Sequence, residues 1–402
     1  MQRHRPKTIN QARRITQRNT SIDLLRGVVM IIMALDHVRM YFALGTWYAE
    51  PTNLGTTTPM LFFTRWITHF CAPVFVFLTG TSAFLYGLNK PGIKLSWYLF
   101  TRGLWLIIAE LTIINFAWTF DATFSFRILQ VIWAIGASLV ILSVLVFLPL
   151  KFIFALGMIL VFGHNLLDPI TVNGTSFSDV LWYALHQPNA FRLSDNTISL
   201  FYPILPWLGV MAMGYVFGIF YAKDFDEVRR RWLVLIGLGA VALFLALRGL
   251  NLYGEPDSWS TQGNSLFTVI AFLNTSKYPP SLHFLLMTIG PALIFLALSE
   301  RMRPRTTNQI VVFGRVPFFF YILHLYLIHA FAMLALIMAG RDWSEYILTA
   351  RAISSGALNS FGLRIEAVYI VWMLLIVLLY PLCKWYQKYK ENHPTKWWLS
   401  YL

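Results

Sequence analysis

Long apolar runs alternate with short polar stretches along the chain, and this pattern predicts the secondary structure before any single residue is considered. Most runs hold about 20 residues, the length that an α-helix needs to cross the hydrocarbon core of a bilayer. We therefore predict about ten membrane-spanning helices, with about eleven as the alternative count. Their approximate bounds are 22–44, 60–88, 95–117, 127–148, 151–166, 200–222, 232–249, 281–298, 310–338 and 367–385. The predicted fold class is all-α: a polytopic transmembrane helix bundle.

The composition agrees with a membrane protein and excludes an ordinary soluble domain. Hydrophobic residues make up 57% of the 402 residues, and charged residues make up only 12%. A soluble globular domain usually carries about twice that share of charged residues. The two cysteines, Cys71 and Cys383, fall within or at the end of predicted spans, which indicates neither a disulfide framework nor a zinc motif. Because the chain also lacks an HExxH sequence, we expect no metal.

The net charge of +14 is concentrated in loops and tails. The first twenty residues contain no acidic residue, and further basic residues cluster in short loops on alternate sides of successive apolar runs. Cytoplasmic loops carry such an excess of Lys and Arg, so the charge predicts the orientation of the protein in the membrane. Because the orientation accounts for the charge, we expect no nucleic-acid partner. With an even number of spans, both termini are cytoplasmic. The predicted organisation is a basic cytoplasmic tail at 1–20, the helix bundle at 21–385 and a cytoplasmic tail at 386–402.

The predicted extracytoplasmic loops are longer than the cytoplasmic loops and contain few basic residues. They comprise 45–59, 118–126, 167–199, 250–280 and 339–366. One of them contains the apolar segment SLFTVIAFLN at 265–274, which predicts a re-entrant or interfacial helix ahead of the sequence TSKYPP.

Ionisable residues occur inside several predicted spans, where a charge that faces lipid costs about 3 kcal/mol. The segment IIMALDHVRMYF at 31–42 holds two of them, Asp36 and His37. A rise of about 1.5 Å per residue places His37 roughly 22 Å from the cytoplasmic end of its helix. The same arithmetic gives depths of about 21–28 Å for the rest of the set, which comprises His69, Glu110, His324 and His329. A shared polar layer predicts a cavity, although a helix–helix hydrogen bond is the alternative for any single member.

Helix geometry separates the roles of Asp36 and His37. Adjacent residues on a helix point about 100° apart and do not face each other. We therefore expect Asp36 to pair with Arg39 or to line a neighbouring wall of the cavity. A group from another helix, Glu110 or His69, is better placed to orient the His37 ring.

Arg26 lies on the same helix face as His37 because the two are separated by almost three turns, about 16 Å along the axis. A ligand with an anionic end at the cytoplasmic mouth and a long narrow arm would contact both residues. Coenzyme A has this shape. Arg102 and Arg315 also lie near the inner ends of their helices and could add phosphate contacts. Alternatively, each arginine extends its charged group into the cytoplasmic interface and serves only to orient the protein in the membrane.

Four segments of the chain carry a family resemblance. They are SIDLLRGVVMIIMALDHVRMYF, THFCAPVFVFLTGTSAFLYG, FLNTSKYPPSLHFLLMTIGPA and FGRVPFFFYILHLYLIH. They resemble the heparan-α-glucosaminide N-acetyltransferase-like proteins, chiefly the bacterial relatives. The first segment is also similar to transmembrane acyltransferases that O-acetylate surface polysaccharides. In those proteins a DxLRG start precedes an active histidine by the spacing seen here in Asp23, Leu25, Arg26, Gly27 and His37.

The resemblance implies a membrane acyltransferase in a bacterial cytoplasmic membrane, with cytosolic acetyl-CoA as donor and a sugar or glycan acceptor outside. His37 would act as general base or carry the acetyl group, with Asp36, His69 and Glu110 as further catalytic candidates. Arg26, Arg102 and Arg315 would bind the donor. The candidates for acceptor binding are His324, His329, Asn274, Lys277 and Tyr278. Membrane lipids are expected partners, and a homodimer is compatible with the sequence.

Two other functions fit the polar layer. A proton-coupled carrier of a small solute would use the same residues as a proton relay, although we find no paired internal repeats and no obviously broken helices. A haem protein would use the histidines as ligands, but His324 and His329 lie about 140° apart on their helix and do not form one ligand face.

Overall fold

The computed structural model describes residues 20–46, 50–88, 90–222, 225, 228–302 and 304–401. The chain is mostly helical, as predicted. The basic tail predicted at 1–20 lies, apart from Thr20, outside the described residues.

The helices follow the apolar runs closely. We number them α1 (Thr20–Phe42), α2 (Pro59–Thr68), α3 (Cys71–Gly87), α4 (Gly92–Ala109), α5 (Asn115–Thr119), α6 (Val131–Leu145), α7 (Leu150–Gly163), α8 (Phe177–Leu185), α9 (Ile204–Phe217), α10 (Arg229–Gly249), α11 (Ser265–Leu273), α12 (Leu282–Ser299), α13 (Pro304–Arg315), α14 (Pro317–Met338), α15 (Ala350–Ser355) and α16 (Ile365–Asn392). Short 3₁₀ turns occupy His164–Leu167, Gly218–Tyr221, Trp343–Tyr346, Ala357–Ser360 and Trp397–Ser400.

Eight helices among the described residues are long and apolar enough to cross a membrane. They are Pro59–Gly87, Gly92–Thr119, Leu150–Leu167, Ile204–Tyr221, Arg229–Gly249, Leu282–Ser299, Pro317–Met338 and Ile365–Asn392. The first and fourth predicted spans correspond to α1, which contains four charged residues, and to α6, which is 15 residues long. The count of ten spans stays a prediction. The predicted helix at 265–274 is present as α11.

Two of the spans contain irregular backbone, which corrects the expectation of unbroken helices. The second span is interrupted by a turn at His69–Phe70, between α2 and α3. The third contains a π-helical turn at Glu110–Ile114, between α4 and α5. Such irregular turns often occur at functional sites because they redirect side chains.

The ends of two predicted spans also differ. The predicted ninth span, 310–338, comprises α13 and α14, which meet at Val316 because Pro317 begins a new helix. The last helix continues beyond the predicted end at 385 and ends at Asn392.

The prediction of an all-α fold is wrong in one respect, because the loops contain a small three-stranded sheet. Its strands are β1 (Phe126–Leu129), β2 (Asn189–Leu193) and β3 (Asn196–Leu200), in the order β1-β3-β2. β3 runs parallel to β1 and antiparallel to β2. Each strand is only four or five residues long, so none forms an apolar run that the sequence pattern could separate from the surrounding loop.

Helix α1 lies at the centre of the bundle and packs against α2, α3, α12, α13, α14 and α16. At its C-terminal end the Tyr41 hydroxyl donates a hydrogen bond to the carbonyl of Trp118, at 2.5 Å. At its N-terminal end the helix contacts α13 through two glycines. A Cβ on Gly314 would lie 1.8 Å from the carbonyl oxygen of Asp23, and a Cβ on Gly27 would lie 2.2 Å from that of Ile310. The absence of side chains therefore lets these two helices approach closely.

This contact predicts that Gly314→Ala destabilises the protein. A Cβ at 1.8 Å from a backbone atom forces the helices apart, and overpacking of this kind costs about 1–3 kcal/mol. Gly239→Ala is the matched control, since Gly239 is also helical and has no atom within 4 Å of its added Cβ. Alanine there should stabilise the helix by up to about 1 kcal/mol. Thermal unfolding of both variants in detergent measures the difference; equal stability would show that the close contact is absent.

Candidate active site

Asp36 is buried inside the bundle as the shared partner of two arginines. Its Oδ1 accepts hydrogen bonds from Nε and Nη2 of Arg39 on the same helix, at 3.2 and 3.0 Å. Its Oδ2 accepts a hydrogen bond from Nη1 of Arg65 on α2. The predicted pairing with Arg39 is thus confirmed, and Arg65 is a second partner. These ion pairs offset the desolvation of the carboxylate and join α1 to α2.

The His37 ring is oriented by a chain of hydrogen bonds. His37 Nδ1 lies 2.7 Å from His324 Nε2, and His324 Nδ1 lies 2.9 Å from the carbonyl oxygen of Phe320. A carbonyl oxygen only accepts, so His324 Nδ1 carries the hydrogen. In a neutral His324 ring, Nε2 is then the acceptor and His37 Nδ1 is the donor. His37 Nε2 is left with a lone pair and can take up a proton.

This arrangement corrects the expected orienting group. Among the described residues, neither Glu110 nor His69 makes a hydrogen bond to His37. His324, which was expected to bind the acceptor, contacts His37 directly. Trp118 closes another side of the His37 ring, with an edge-to-face contact at 4.9 Å between centroids.

Lys277 and Tyr278, which the sequence analysis proposed for acceptor binding, lie near the buried ion pairs. Lys277 is close enough to interact electrostatically with Asp36 and His37, and Tyr278 interacts with Arg65. Burial alone would raise the pKa of Tyr278, but the positive charges of Lys277 and Arg65 hold that pKa below its ordinary value. The loop before α12 therefore brings a cation and a phenol to the same region.

His69 lies at the break in the second span and is buried, at 2% exposure. Its Nδ1 has no hydrogen-bond partner, and its ring lies 5.2 Å from that of Phe284. The charges of Arg65 and Lys277 lie within its electrostatic range. The break thus directs a polar ring toward the ion-pair cluster without a contact to His37.

A cavity with about 660 Å³ of empty space, its open part included, lies between α1, α3, α4, α6 and α14. Its lining includes Arg26, Met30, Met33, Thr79, Arg102 and Tyr321. Met33 lies one turn before His37 on α1, and the Tyr321 ring lies 5.5 Å from that of His324. The cavity therefore extends from the two arginines toward the histidine pair.

The three predicted donor-binding arginines are placed differently. Arg26 and Arg102 both line the cavity. Arg26 also donates hydrogen bonds to Ser82 at 3.0 Å and to the carbonyl of Gly314 at 3.3 Å, which anchor its guanidinium. Arg315 does not line this cavity, and its ion pairs are with Asp23, at 3.6 Å, and Glu391, at 3.5 Å.

Glu110 is fully buried at the start of the π-helical turn. Its Oε1 accepts a hydrogen bond from the backbone of Gln130 at 2.7 Å, and its Oε2 has no hydrogen-bond partner. It lies within electrostatic range of Tyr321, which lines the cavity at the end near His324. Glu110 therefore joins the third span to the chain after β1.

His329 and Asn274 make contacts that hold backbone segments together. His329 Nδ1 lies 3.0 Å from the Ala117 carbonyl and its Nε2 lies 2.7 Å from the Tyr346 carbonyl. The Asn274 side chain donates to the Thr52 carbonyl at 3.0 Å. Neither residue takes part in the hydrogen bonds that link His37 to His324 and Asp36 to its two arginines, which we call the cluster around His37.

Arg65 is the main site residue that the sequence pattern missed. It lies inside an apolar run, in FFTRWITHF, where burying an unpaired arginine costs free energy. That position alone could have marked Arg65 as a residue with a buried partner. Tyr202 was also missed. Its ring lies 5.3 Å from Tyr278, and no sequence motif connects the two.

A family model described as heparan-alpha-glucosaminide N-acetyltransferase, catalytic, matches residues 18–254, more than half of the chain. The matched stretch includes Arg26, His37, Arg65 and Arg102, whereas His324 and the 277–278 pair lie beyond it. A search of curated proteins found no match.

The ion-pair cluster predicts an order of stability among variants. Asp36→Asn leaves two buried guanidinium groups without their carboxylate and should cost about 3–5 kcal/mol. Arg65→Met should cost less, because the pair of Asp36 with Arg39 remains. Asp36→Asn combined with Arg65→Met should be more stable than Asp36→Asn alone. Thermal unfolding in detergent measures the order, and a larger loss from Arg65→Met than from Asp36→Asn would contradict it.

Proposed function

The chain belongs to the heparan-α-glucosaminide N-acetyltransferase family, and on that premise we propose that it transfers an acetyl group from cytosolic acetyl-CoA to an extracytoplasmic sugar. The acceptor is a hydroxyl or amine of a glycan, and the protein acts in the cytoplasmic membrane of a bacterium. The observation that carries the proposal is the hydrogen-bonded chain from Phe320 through His324 to His37, which leaves His37 Nε2 as a base.

The cavity supports a donor that enters beside Arg26 and Arg102. Guanidinium groups bind phosphate oxygens with charge-assisted hydrogen bonds, and the two arginines suit the phosphate end of coenzyme A. The apolar lining from Met30 to Met33 suits the narrow pantetheine arm. The thioester carbonyl then lies near the histidine pair.

In the transfer step, His37 Nε2 takes the proton of the acceptor hydroxyl or amine. The acceptor oxygen or nitrogen forms a bond to the thioester carbonyl carbon, and the C–S bond breaks. The imidazolium returns its proton to the departing thiolate, so charge and atoms balance. His324 holds the Nδ1 hydrogen of His37 throughout, which keeps Nε2 aimed at the substrates.

Lys277 and Arg65 contribute positive charge beside this step. An oxyanion forms on the thioester carbonyl when the acceptor attacks, and cations in a low-dielectric site stabilise it. An acetyl group carried on His37 Nε2 is the two-step form of the same reaction.

One observation favours the carrier as a second candidate. Interrupted helices are common in transporters, and the second span is interrupted at His69–Phe70. Solute flux in vesicles without any acyl donor would support the carrier, whereas binding of acetyl-CoA to the purified protein supports the enzyme.

His37→Ala should lower the rate of acetyl transfer by about 10²–10⁴-fold, the contribution of a positioned general base. Binding of acetyl-CoA should remain nearly unchanged, because the donor phosphates contact other residues. The measurement is transfer of radiolabelled acetyl to an amino-sugar acceptor, with donor binding followed separately. His393→Ala is the matched control, since His393 follows the end of α16. A His37→Ala protein with the normal rate would remove His37 from the reaction.

Arg102→Ala should raise KM for acetyl-CoA about tenfold or more with a smaller change in kcat, because a charge-assisted hydrogen bond contributes about 1.5–3 kcal/mol. Arg192→Ala makes the same change on β2, where the side chain is exposed, and should leave KM unaltered. Steady-state kinetics in detergent gives both constants. Equal KM values for the two variants would place the donor phosphates elsewhere.

A further inference from the structure

Three potential metal ligands meet at the end of α7, outside the cluster around His37. They are His164, Asp168 and His186, and their ligand atoms lie within 4.8 Å of one another. His164 begins the 3₁₀ turn after α7, Asp168 follows that turn, and His186 directly follows α8. Among the described residues this is the one such trio of histidine, cysteine or carboxylate groups.

The two histidines are buried with unused ring nitrogens. His164 and His186 are each 2% exposed. Neither nitrogen of His164 has a hydrogen-bond partner, and Nδ1 of His186 has none. His186 Nε2 lies 2.9 Å from Asp168 Oδ1. A buried polar group without a partner is costly, and a ligand on the His164 ring would offset that cost.

The donor set matches a transition-metal ion. The 3₁₀ turn brings the His164 imidazole and the Asp168 carboxylate together, and the fold adds a second imidazole from His186. Imidazole nitrogen and carboxylate oxygen are ligands of Zn²⁺, which binds them at about 2.0–2.2 Å in tetrahedral geometry. Tetrahedral ligands then lie about 3.3 Å apart, which small side-chain rotations would reach. The half-open side of Asp168, at 23% exposure, leaves room for a water as fourth ligand.

We propose that His164, Asp168 and His186 bind one Zn²⁺ or a similar divalent transition-metal ion. The expectation of no metal rested on the absence of a contiguous motif. His186 is far from HNLLD in sequence, and only the fold brings them together.

The metal would fix the position of two neighbouring elements. Asn165, inside the same turn, donates to Asp168 Oδ2 at 2.8 Å and accepts from the backbone N–H of Leu282 at 3.0 Å. It thereby connects the turn to the start of α12, just after Lys277 and Tyr278. His186 is followed by β2, and β3 leads to Tyr202 beside Tyr278. A metal here would fix the position of the loop before α12 relative to strands β2 and β3.

The test is metal binding by the full chain, purified in detergent without a histidine tag. After equilibration with Zn²⁺ and desalting, elemental analysis should find one zinc per chain. His164→Ala and His186→Ala should each lower the affinity at least about tenfold. His283→Ala is the matched control, because His283 is also fully buried but lies outside the trio.

A second measurement uses the wild-type protein alone and does not depend on how the variants fold. Zn²⁺ should raise its Tm relative to a chelator, and Co²⁺ should give the visible absorption of a tetrahedral site. A wild-type chain that holds no zinc, or His164→Ala and His186→Ala proteins that hold as much as His283→Ala, would overturn the proposal. Neither readout requires acetyl transfer, so its outcome is independent of the proposed function.

Discussion

The ion pairs of Asp36 with Arg39 and Arg65 determine how the centre of the bundle can be assembled. An unpaired charge at that depth costs about 3 kcal/mol, so α1 and α2 must meet where the carboxylate can contact both guanidinium groups. His37 is the next residue along α1, and its position follows from that constraint. The close approach of α1 to α13 through Gly27 and Gly314 sets the other end of the same helix.

Because contacts fix both ends of α1, the positions of Arg26 and His37 along this helix are fixed as well. Arg26 faces the cavity near its beginning, and His37 faces His324 near its end. The hydrogen bond that His37 Nδ1 donates to His324 selects the tautomer of His37, and the Phe320 carbonyl selects that of His324. Arg26, the proposed phosphate ligand, and His37, the proposed base, are thus separated by about 16 Å, the rise of almost three helical turns.

The sequence predicts most of the helices, because apolar runs of bilayer length leave few other structures. It also predicts the depth of each polar residue, since the rise per residue is constant. Depth alone does not determine which neighbouring helix a side chain faces. His324 and His329 lie on one helix, but His324 faces His37, whereas the ring nitrogens of His329 lie 3.0 and 2.7 Å from the Ala117 and Tyr346 carbonyl oxygens. Which helices are neighbours, and how each is rotated, depends on tertiary packing. The pairing of Arg65 with Asp36 on another helix could therefore not be predicted, although the position of Arg65 inside an apolar run was a signal.

Transfer across the membrane is the central claim. Purified protein in sealed liposomes, with labelled acetyl-CoA on the side of Arg26 and an amino-sugar acceptor on the other side, tests it most directly. We expect acetylated acceptor on the far side while the coenzyme stays in its own compartment. Label that reaches an acceptor only when both substrates share one compartment would contradict a reaction through the bundle.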